Sequence, residues 1–212
     1  MDRGISPELL AVLVRSRELG FLGPISLERQ VEHANGFADA LEKAGIAQPS
    51  RIIDLGSGGG LPGLILAGRW SQATFCLLDG SVRRCEFLEE ACDELGFADR
   101  ASVSVGRAED LAHDKALRGW ADLVVARSFG PPPAVAECAA GLLSVGGFLL
   151  VSEPPNEIDV SVRWPQDGLR QLGLGMAQTL VSGAHYALMQ LESPCPERFP
   201  RRVGVPVKRP LF

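Results

Sequence analysis

Short apolar runs alternate with amphipathic segments along most of the chain. Five runs have the length and composition of sheet strands, and they lie at residues 51–55, 74–79, 101–105, 121–126 and 147–151. Helical patterns lie between them, beginning near Leu61, at Ser81 and at residue 131. Two later runs, 177–181 and 185–191, flank a Ser-Gly-Ala connection and predict an antiparallel pair. This alternation predicts an α/β fold with a mostly parallel, doubly wound sheet.

Two helices are predicted ahead of the first strand. The first is capped by Ser6 and carries an apolar stripe formed by Leu9, Leu10, Leu13 and Val14. The second is capped by Ser26, places Val31, Ala34, Phe37 and Leu41 on one face, and carries His33, for which a surface or capping position is expected. We therefore predict a helical appendage at residues 1–46 and an α/β domain at residues 47–212. A helical crossover is expected at residues 158–172.

A glycine-rich segment joins the first strand to its helix. Residues 51–63 read R-I-I-D-L-G-S-G-G-G-L-P-G, and such glycines let a ligand approach the main chain. The spacing Asp54-x-Gly56-x-Gly58-x-Gly60 is typical of S-adenosylmethionine enzymes, whereas Gly58-x-Gly60-x-x-Gly63 also satisfies the dinucleotide fingerprint. A plain strand-to-helix turn is the third interpretation.

Polar residues follow three of the other predicted strands. Asp79 ends the second strand, where a carboxylate can accept hydrogen bonds from ribose hydroxyls of either cofactor. The turn Gly106-Arg107-Ala108-Glu109 follows the third strand and is either a cover for an adenine ring or an ordinary helix start. Arg127 follows the fourth strand, at the sheet edge where open α/β folds bind ligands.

Composition favours one cytosolic domain without a metal site. The chain has 212 residues, of which 46% are hydrophobic, enough for a sizeable core. No apolar run approaches the roughly 20 residues that cross a bilayer, and the first residues lack a signal-peptide layout. The five cysteines are scattered, without a C-x-x-C pair, and are expected to be reduced and mostly buried.

Charge is uneven along the chain. Residues 197–212, called the basic tail below, contain five cations and one anion, a net charge of +4. The net charge of the whole chain is −5, so residues 1–196 carry −9. A nucleic-acid partner is therefore expected to meet the basic tail. The alternative is a tail that packs across the domain and covers apolar surface, with Phe199, Val203, Val205, Leu211 and Phe212 as its anchors.

Five segments together resemble the RsmG (GidB) family. They are D-L-G-S-G-G-G-L-P-G (54–63), L-L-D-G-S-V-R-R-C-E-F-L-E-E (77–90), G-R-A-E-D-L (106–111), A-R-S-F (126–129) and the end of the chain (198–211). The resemblance implies a class I S-adenosylmethionine-dependent methyltransferase with a Rossmann-like, seven-stranded, mostly parallel sheet and a terminal antiparallel hairpin. It also implies methylation of N7 of a guanine in small-subunit (16S) ribosomal RNA.

The resemblance also implies the site residues. The expected cofactor-binding residues are Asp54, Gly56, Ser57, Gly58, Gly60, Leu61, Asp79, Gly80, Ser81, Arg107, Ala108, Glu109 and Arg127. Arg127 is also the expected catalytic residue, at the boundary between cofactor and base. The expected RNA-binding residues are Arg198, Arg201, Arg202, Lys208 and Arg209. The implied partner is ribosomal RNA or the small ribosomal subunit. The protein itself is expected to be a cytoplasmic monomer that binds no metal and is not attached to a membrane.

Two departures from the family pattern bear on the substrate. The R-H-x-x-D-S-L helix of the family reads E-H-A-N-G-F at residues 32–37, where only the histidine remains. After the fifth strand, a lysine and a glycine are replaced by Ser152-Glu153-Pro154. Each exchange of a basic for an acidic residue is expected to weaken binding to RNA phosphates.

Guanine N7 has a free lone pair, so its methylation needs no general base. In agreement, Gly130-Pro-Pro-Pro-Ala lacks the Asn/Asp-Pro-Pro motif of exocyclic-amine enzymes, and Cys195 is interpreted as a loop residue, not a nucleophile. Two rival hypotheses stay open. One is a relative that methylates a small molecule or a protein, and the other is a cofactor-binding relative without this activity.

Overall fold

The computed structural model describes residues 5–155 and 159–212. Its helices are α1 (Pro7–Glu18), α2 (Leu27–Lys43), α3 (Gly63–Arg69), α4 (Val82–Glu94), α5 (Ala108–Leu111), α6 (Pro132–Leu142), α7 (Val160–Arg163), α8 (Gln166–Arg170) and α9 (Val205–Lys208). Its strands are β1 (Arg51–Leu55), β2 (Thr74–Asp79), β3 (Ala101–Val105), β4 (Ala121–Ala126), β5 (Leu143–Ser152), β6 (Gln178–Val181) and β7 (His185–Gln190). The first residue of the predicted crossover, 158, lies outside the described residues, and the rest of it contains α7 and α8.

The strands form one seven-stranded sheet in the order β3-β2-β1-β4-β5-β7-β6. β1 to β5 are parallel, whereas β7 is antiparallel to both of its neighbours, β5 and β6. The predicted seven-stranded, mostly parallel sheet with a terminal antiparallel hairpin is confirmed. The carboxyl ends of β1, β2 and β4 meet at one edge of the sheet, which places the residues that follow them together.

β5 begins four residues earlier than the predicted start at residue 147. Helix α6 ends at Leu142, and Leu143 already pairs with Ala121, before a register shift leads to the Leu123–Phe148 pair. The irregular pairing explains why the apolar pattern shows only the second part of this strand.

The N-terminal helices share a core with the sheet. Leu13 of α1 and Phe37 of α2 belong to the same buried cluster as Leu77 of β2. The division of the chain at residues 46 and 47 stays a prediction. One prediction for α1 is wrong, because Leu10 is 44% exposed, while Ser16 is fully buried.

Ser16 is buried because it contacts the glycine-rich loop. Its hydroxyl donates a hydrogen bond to the carbonyl oxygen of Gly59 over 2.9 Å. A Cβ on Gly59 would lie 2.5 Å from the Ser16 hydroxyl oxygen and 2.6 Å from Leu22, so only glycine fits between them. The N-terminal region thus supports the back of the loop.

Four of the five cysteines are buried and none forms a disulfide, as predicted. Within residues 5–155 and 159–212, no helix has the length and apolar character needed to span a bilayer.

Candidate cofactor and substrate site

The glycine-rich loop leaves β1 through residues that need positive φ. Gly56, Gly58 and Gly60 have φ values of 76°, 56° and 96°. The N–H groups of Gly56 and Ser57 both donate to the carbonyl oxygen of Leu78 on β2, over 2.8 and 2.9 Å. These bonds hold the loop against the end of the neighbouring strand. The next helix begins at Gly63, two residues later than predicted.

Asp54 lies beneath the loop. Its carboxylate is fully buried, and Oδ2 accepts a hydrogen bond from the N–H of Gly63 over 2.8 Å. Oδ1 is buried and has no hydrogen-bond partner among the described residues. Burial raises the pKa of Asp54 to about 7, although the Gly63 N–H and the charge of Arg127 favour the ionised form. Asp54 therefore shapes the loop from below, and its free oxygen is a buried acceptor at the site.

Asp79 connects the loop to the start of α4. Its Oδ2 accepts from the N–H of Gly58 and its Oδ1 from the N–H of Ser81, both over 2.9 Å. The Arg84 guanidinium approaches Oδ2 to 3.8 Å. Since an ionised carboxylate can accept about four hydrogen bonds, each oxygen keeps acceptor capacity for a hydroxyl group. The predicted residues Gly58, Asp79, Gly80 and Ser81 are therefore contiguous in space.

The turn after β3 forms the helix start of α5. Ala108 and Glu109 are buried, whereas the side chain of Arg107 is 59% exposed. The Glu109 carboxylate accepts a hydrogen bond from the N–H of Gly204 in the basic tail over 2.9 Å. This carboxylate therefore anchors the tail beside the loop, and the sequence pattern held no indication of that contact.

Arg127 follows β4 and is partly buried. Its Nη2 donates a hydrogen bond to Oε1 of Gln30 on α2 over 3.3 Å. Two residues later, the ring of Phe129 lies on Gly56, since a Cβ there would be 2.6 Å from the ring. The A-R-S-F segment thus covers the mouth of the loop and links it to the N-terminal helices.

A cavity of about 810 Å³ opens beside Arg127. It lies at the carboxyl ends of β4 and β5, and its lining includes Gln30, His33, Arg127, Glu153 and Trp164. Its position and size suit a small organic group bound at this edge of the sheet.

His33 is only partly exposed and packs against other rings, whereas a surface or capping position was expected from the sequence. Its ring is half-buried and contacts those of Phe37 and Tyr186, with centroids 5.9 and 5.8 Å away. Burial, and secondarily the charge of Arg127, lowers the pKa of His33 to about 4. His33 therefore adds a neutral ring to the cavity wall near pH 7.

The basic tail crosses α6 and α5 and is partly built into the domain. Phe199 is buried, and Arg201 forms an ion pair with the fully buried carboxylate of Glu137. Arg118 donates to the carbonyl oxygens of Cys195 and Phe199, over 3.0 and 2.9 Å. Arg201 thus anchors the tail, whereas the other four predicted RNA-binding cations, Arg198, Arg202, Lys208 and Arg209, are exposed.

The structure brings the glycine loop, Asp79, the 107–109 turn and Arg127 to one edge of the sheet. The sequence prediction missed Gln30, Phe129, Arg118 and Glu137, which position these groups. Glu137 had a recognisable pattern, because it is the single charged residue of the apolar helix P-P-A-V-A-E-C-A-A-G-L. A lone acid in such a helix requires a buried partner.

Solved structures share the fold. A cofactor-bound protein of MTB, Rv0187, aligns with a TM-score of 0.61 at 22% identity, covering 90% of this chain and 92% of that one. The O-methyltransferase TomG of Streptomyces achromogenes, solved with SAM, gives a TM-score of 0.61 at 17% identity over 90% and 92% of the two chains. At these identities the likeness concerns the fold.

Sequence comparison identifies the family. The model for GidB, rRNA small subunit methyltransferase G, matches residues 25–157. A protein of Parasynechococcus marenigrum named ribosomal RNA small subunit methyltransferase G is 36% identical over 77% of this chain and 68% of its own length. A protein of the same name from Symbiobacterium thermophilum is 32% identical over 87% and 79% of the two chains. The chain belongs to the GidB family of rRNA small subunit methyltransferases G.

Proposed function

We propose that this protein transfers a methyl group from S-adenosylmethionine to N7 of a guanine in the RNA of the small ribosomal subunit (16S). The proposal rests on the Asp79 carboxylate, which accepts hydrogen bonds from the Gly58 N–H and the Ser81 N–H in a chain of this family. This arrangement sets a carboxylate beside a glycine loop at the carboxyl ends of adjacent strands, where this fold class binds nucleoside cofactors.

The residues present fit the cofactor. Asp79 has acceptor capacity left for the two ribose hydroxyls, and Asp54 Oδ1 is a buried acceptor without a partner among the described residues. Gly56, Gly58 and Gly60 would accommodate its amino-acid part, and the backbone of Ala108 would lie on its adenine. When bound, the cofactor supplies an electrophilic methyl group on a positively charged sulfur.

The remaining residues orient the acceptor and keep water away. N7 attacks with its own lone pair, so the site needs no group that removes a proton. Arg127, held by Gln30, can donate hydrogen bonds to the base from the cavity wall, and Phe129 excludes solvent from the loop. Catalysis in this proposal rests on placing the base in line with the methyl group.

The RNA itself would be held by its phosphates. Arg198, Arg202, Lys208 and Arg209 are exposed, and the Glu109–Gly204 contact fixes the start of α9 beside the cofactor residues. Such contacts supply affinity and register but little sequence choice. A monomer acting in the cytoplasm completes the proposal.

Deletion of the gene tests the proposal in the cell. We expect one 7-methylguanosine to disappear from small-subunit RNA, and to return with the wild-type gene but not with Asp79→Ala. A deletion strain whose ribosomal RNA keeps every methyl group would favour the alternatives, a small-molecule or protein acceptor or an inactive cofactor-binding relative.

A further inference from the structure

Glu153 is a fixed acidic group in the cavity beside Arg127. Ala126 of β4 pairs with Val151 of β5, so Arg127 and Glu153 follow adjacent strand ends, and neighbouring strands lie about 4.8 Å apart. Both residues line the cavity of about 810 Å³. The wall of the cavity therefore contains both a cationic donor and an anionic acceptor.

The carboxylate of Glu153 is held in place by two partners. Oε1 accepts a hydrogen bond from Nε1 of the buried Trp164 over 2.9 Å, and Oε2 lies 2.5 Å from Nε of Arg163. The main chain is fixed as well, because the N–H of Glu153 donates to the carbonyl oxygen of His185 over 2.8 Å. The side chain is only 11% exposed.

These contacts leave the carboxylate with unused acceptor capacity. An ionised carboxylate offers about four lone-pair sites, of which the Trp164 N–H occupies one on Oε1, while the Arg163 guanidinium forms an ion pair with Oε2. A guanine has acceptors at N7 and O6 on one edge, and donors at N1 and at the N2 amino group away from N7. If N7 faces the methyl donor, the two donors face away from it, and a fixed carboxylate can accept from both.

We propose that Glu153 is a specificity-determining residue that accepts hydrogen bonds from N1–H and the N2 amino group of the target guanine. The inference rests on the proposed function and deepens it. Adenine places an acceptor at N1 and lacks the N2 amino group, so the same carboxylate disfavours it. The acidic residue after β5, whose charge is unfavourable for binding phosphates, then contacts the base.

Replacing the target guanosine by inosine tests this role, because inosine differs by the missing N2 amino group alone. Small-subunit particles carrying either nucleoside at the methylated position are compared by kcat/KM. Wild-type protein should prefer guanosine about 10- to 100-fold, the value of a hydrogen bond to a charged group. In Glu153→Gln the carbonyl oxygen stays with the Trp164 N–H and an amino group faces the base, so kcat/KM should fall on guanosine particles and the preference should approach one.

The matched control is Glu32→Gln, which changes an exposed glutamate of the same cavity and should keep the wild-type preference. An unchanged preference in a folded Glu153→Gln protein, or its loss in Glu32→Gln, overturns the proposal. Should Glu153→Gln fail to fold, the wild-type comparison still decides, since equal rates on the two particles contradict recognition of N2. Failure to methylate the guanosine particles at all would contradict the proposed function instead.

Discussion

The guanidinium of Arg201 is bound to the carboxylate of Glu137 by two hydrogen bonds. Nε lies 2.8 Å from Oε1 and Nη2 lies 2.6 Å from Oε2, and the backbone N–H of Arg201 adds a third bond to Oε1 over 2.6 Å. Glu137 is fully buried in α6, and its charge is compensated by this guanidinium. The pair fixes the basic tail to the domain and separates one tail cation from the other four.

Arg201→Met should destabilise the protein strongly. Removing one partner of a buried pair leaves an uncompensated charge, which costs about 3–5 kcal/mol of unfolding free energy. Urea unfolding at neutral pH measures the change. The control Arg202→Met alters the adjacent exposed cation and should stay within about 0.5 kcal/mol of wild type. Equal effects of the two substitutions would show that the ion pair does not hold the tail.

Asp79→Ala should weaken binding of S-adenosylmethionine about 10- to 100-fold, because the variant lacks a charged hydrogen-bond acceptor. The substitution also frees the N–H groups of Gly58 and Ser81, which places the expected effect toward the upper end of that range. Calorimetry gives the affinity, with Asp110→Ala on α5 as the exposed acidic control. Binding of NAD in place of S-adenosylmethionine would overturn the interpretation of the loop.

Asp54 should make the stability of the folded protein depend on pH. Its pKa is raised to about 7 in the folded protein, so the folded state holds a proton that the unfolded state has already released. Stability contributed by that proton is present at acidic pH and is lost as the pH rises through about 7. Asp54→Asn, which has no proton to lose, should therefore gain stability relative to wild type as the pH rises from about 4 to about 7. Parallel profiles of the two proteins would contradict this assignment.

Arg127→Lys should lower turnover about 10- to 100-fold without unfolding the protein, because lysine has no planar guanidinium with which to hold the base. The Gln30 contact shows that the guanidinium is already positioned before a substrate is present. Single-turnover methylation at saturating cofactor separates this step from binding. A folded variant with the wild-type rate would leave Arg127 without a catalytic role.

The four exposed tail cations should carry much of the salt-sensitive RNA affinity. Neutralising Arg198, Arg202, Lys208 and Arg209 together should flatten the plot of log K against log salt by about 0.7–0.9 for each phosphate that the variant no longer neutralises. The variant keeps Arg201 and its ion pair with Glu137, so its melting temperature should equal that of the wild type. Arg170→Gln on α8 is the control, since its side chain is 71% exposed and lies outside the basic tail. An unaltered slope would show that the RNA binds to a different face of the protein.

The central strands were predictable because the burial of a strand produces a local pattern of apolar residues in the sequence. β1 to β4 have the predicted bounds. β1, β2 and β4 are buried along most of their length and appear as nearly continuous apolar runs, whereas β3, at the edge of the sheet, shows alternation. The glycine loop and Asp79 were predictable for a similar reason, because glycine spacing and the residue that ends a strand are local features.

The contacts that complete the site join distant parts of the chain. Gly204 is 95 residues from Glu109, and Arg127 is 97 residues from Gln30. Periodicity carries no information on such pairings, so the sequence left open whether the tail binds RNA or packs across the domain. The lone Glu137 in an apolar helix was the one local indication of a partner.

Methyl transfer to purified small subunits tests the central claim most directly. Subunits from the deletion strain are incubated with this protein and S-adenosylmethionine labelled in the methyl group, and the modified nucleoside is then identified. The account predicts about one methyl group per particle, found as 7-methylguanosine, and none with Asp79→Ala. Label on another nucleoside or on protein, or no transfer by a protein that binds the cofactor, would contradict it.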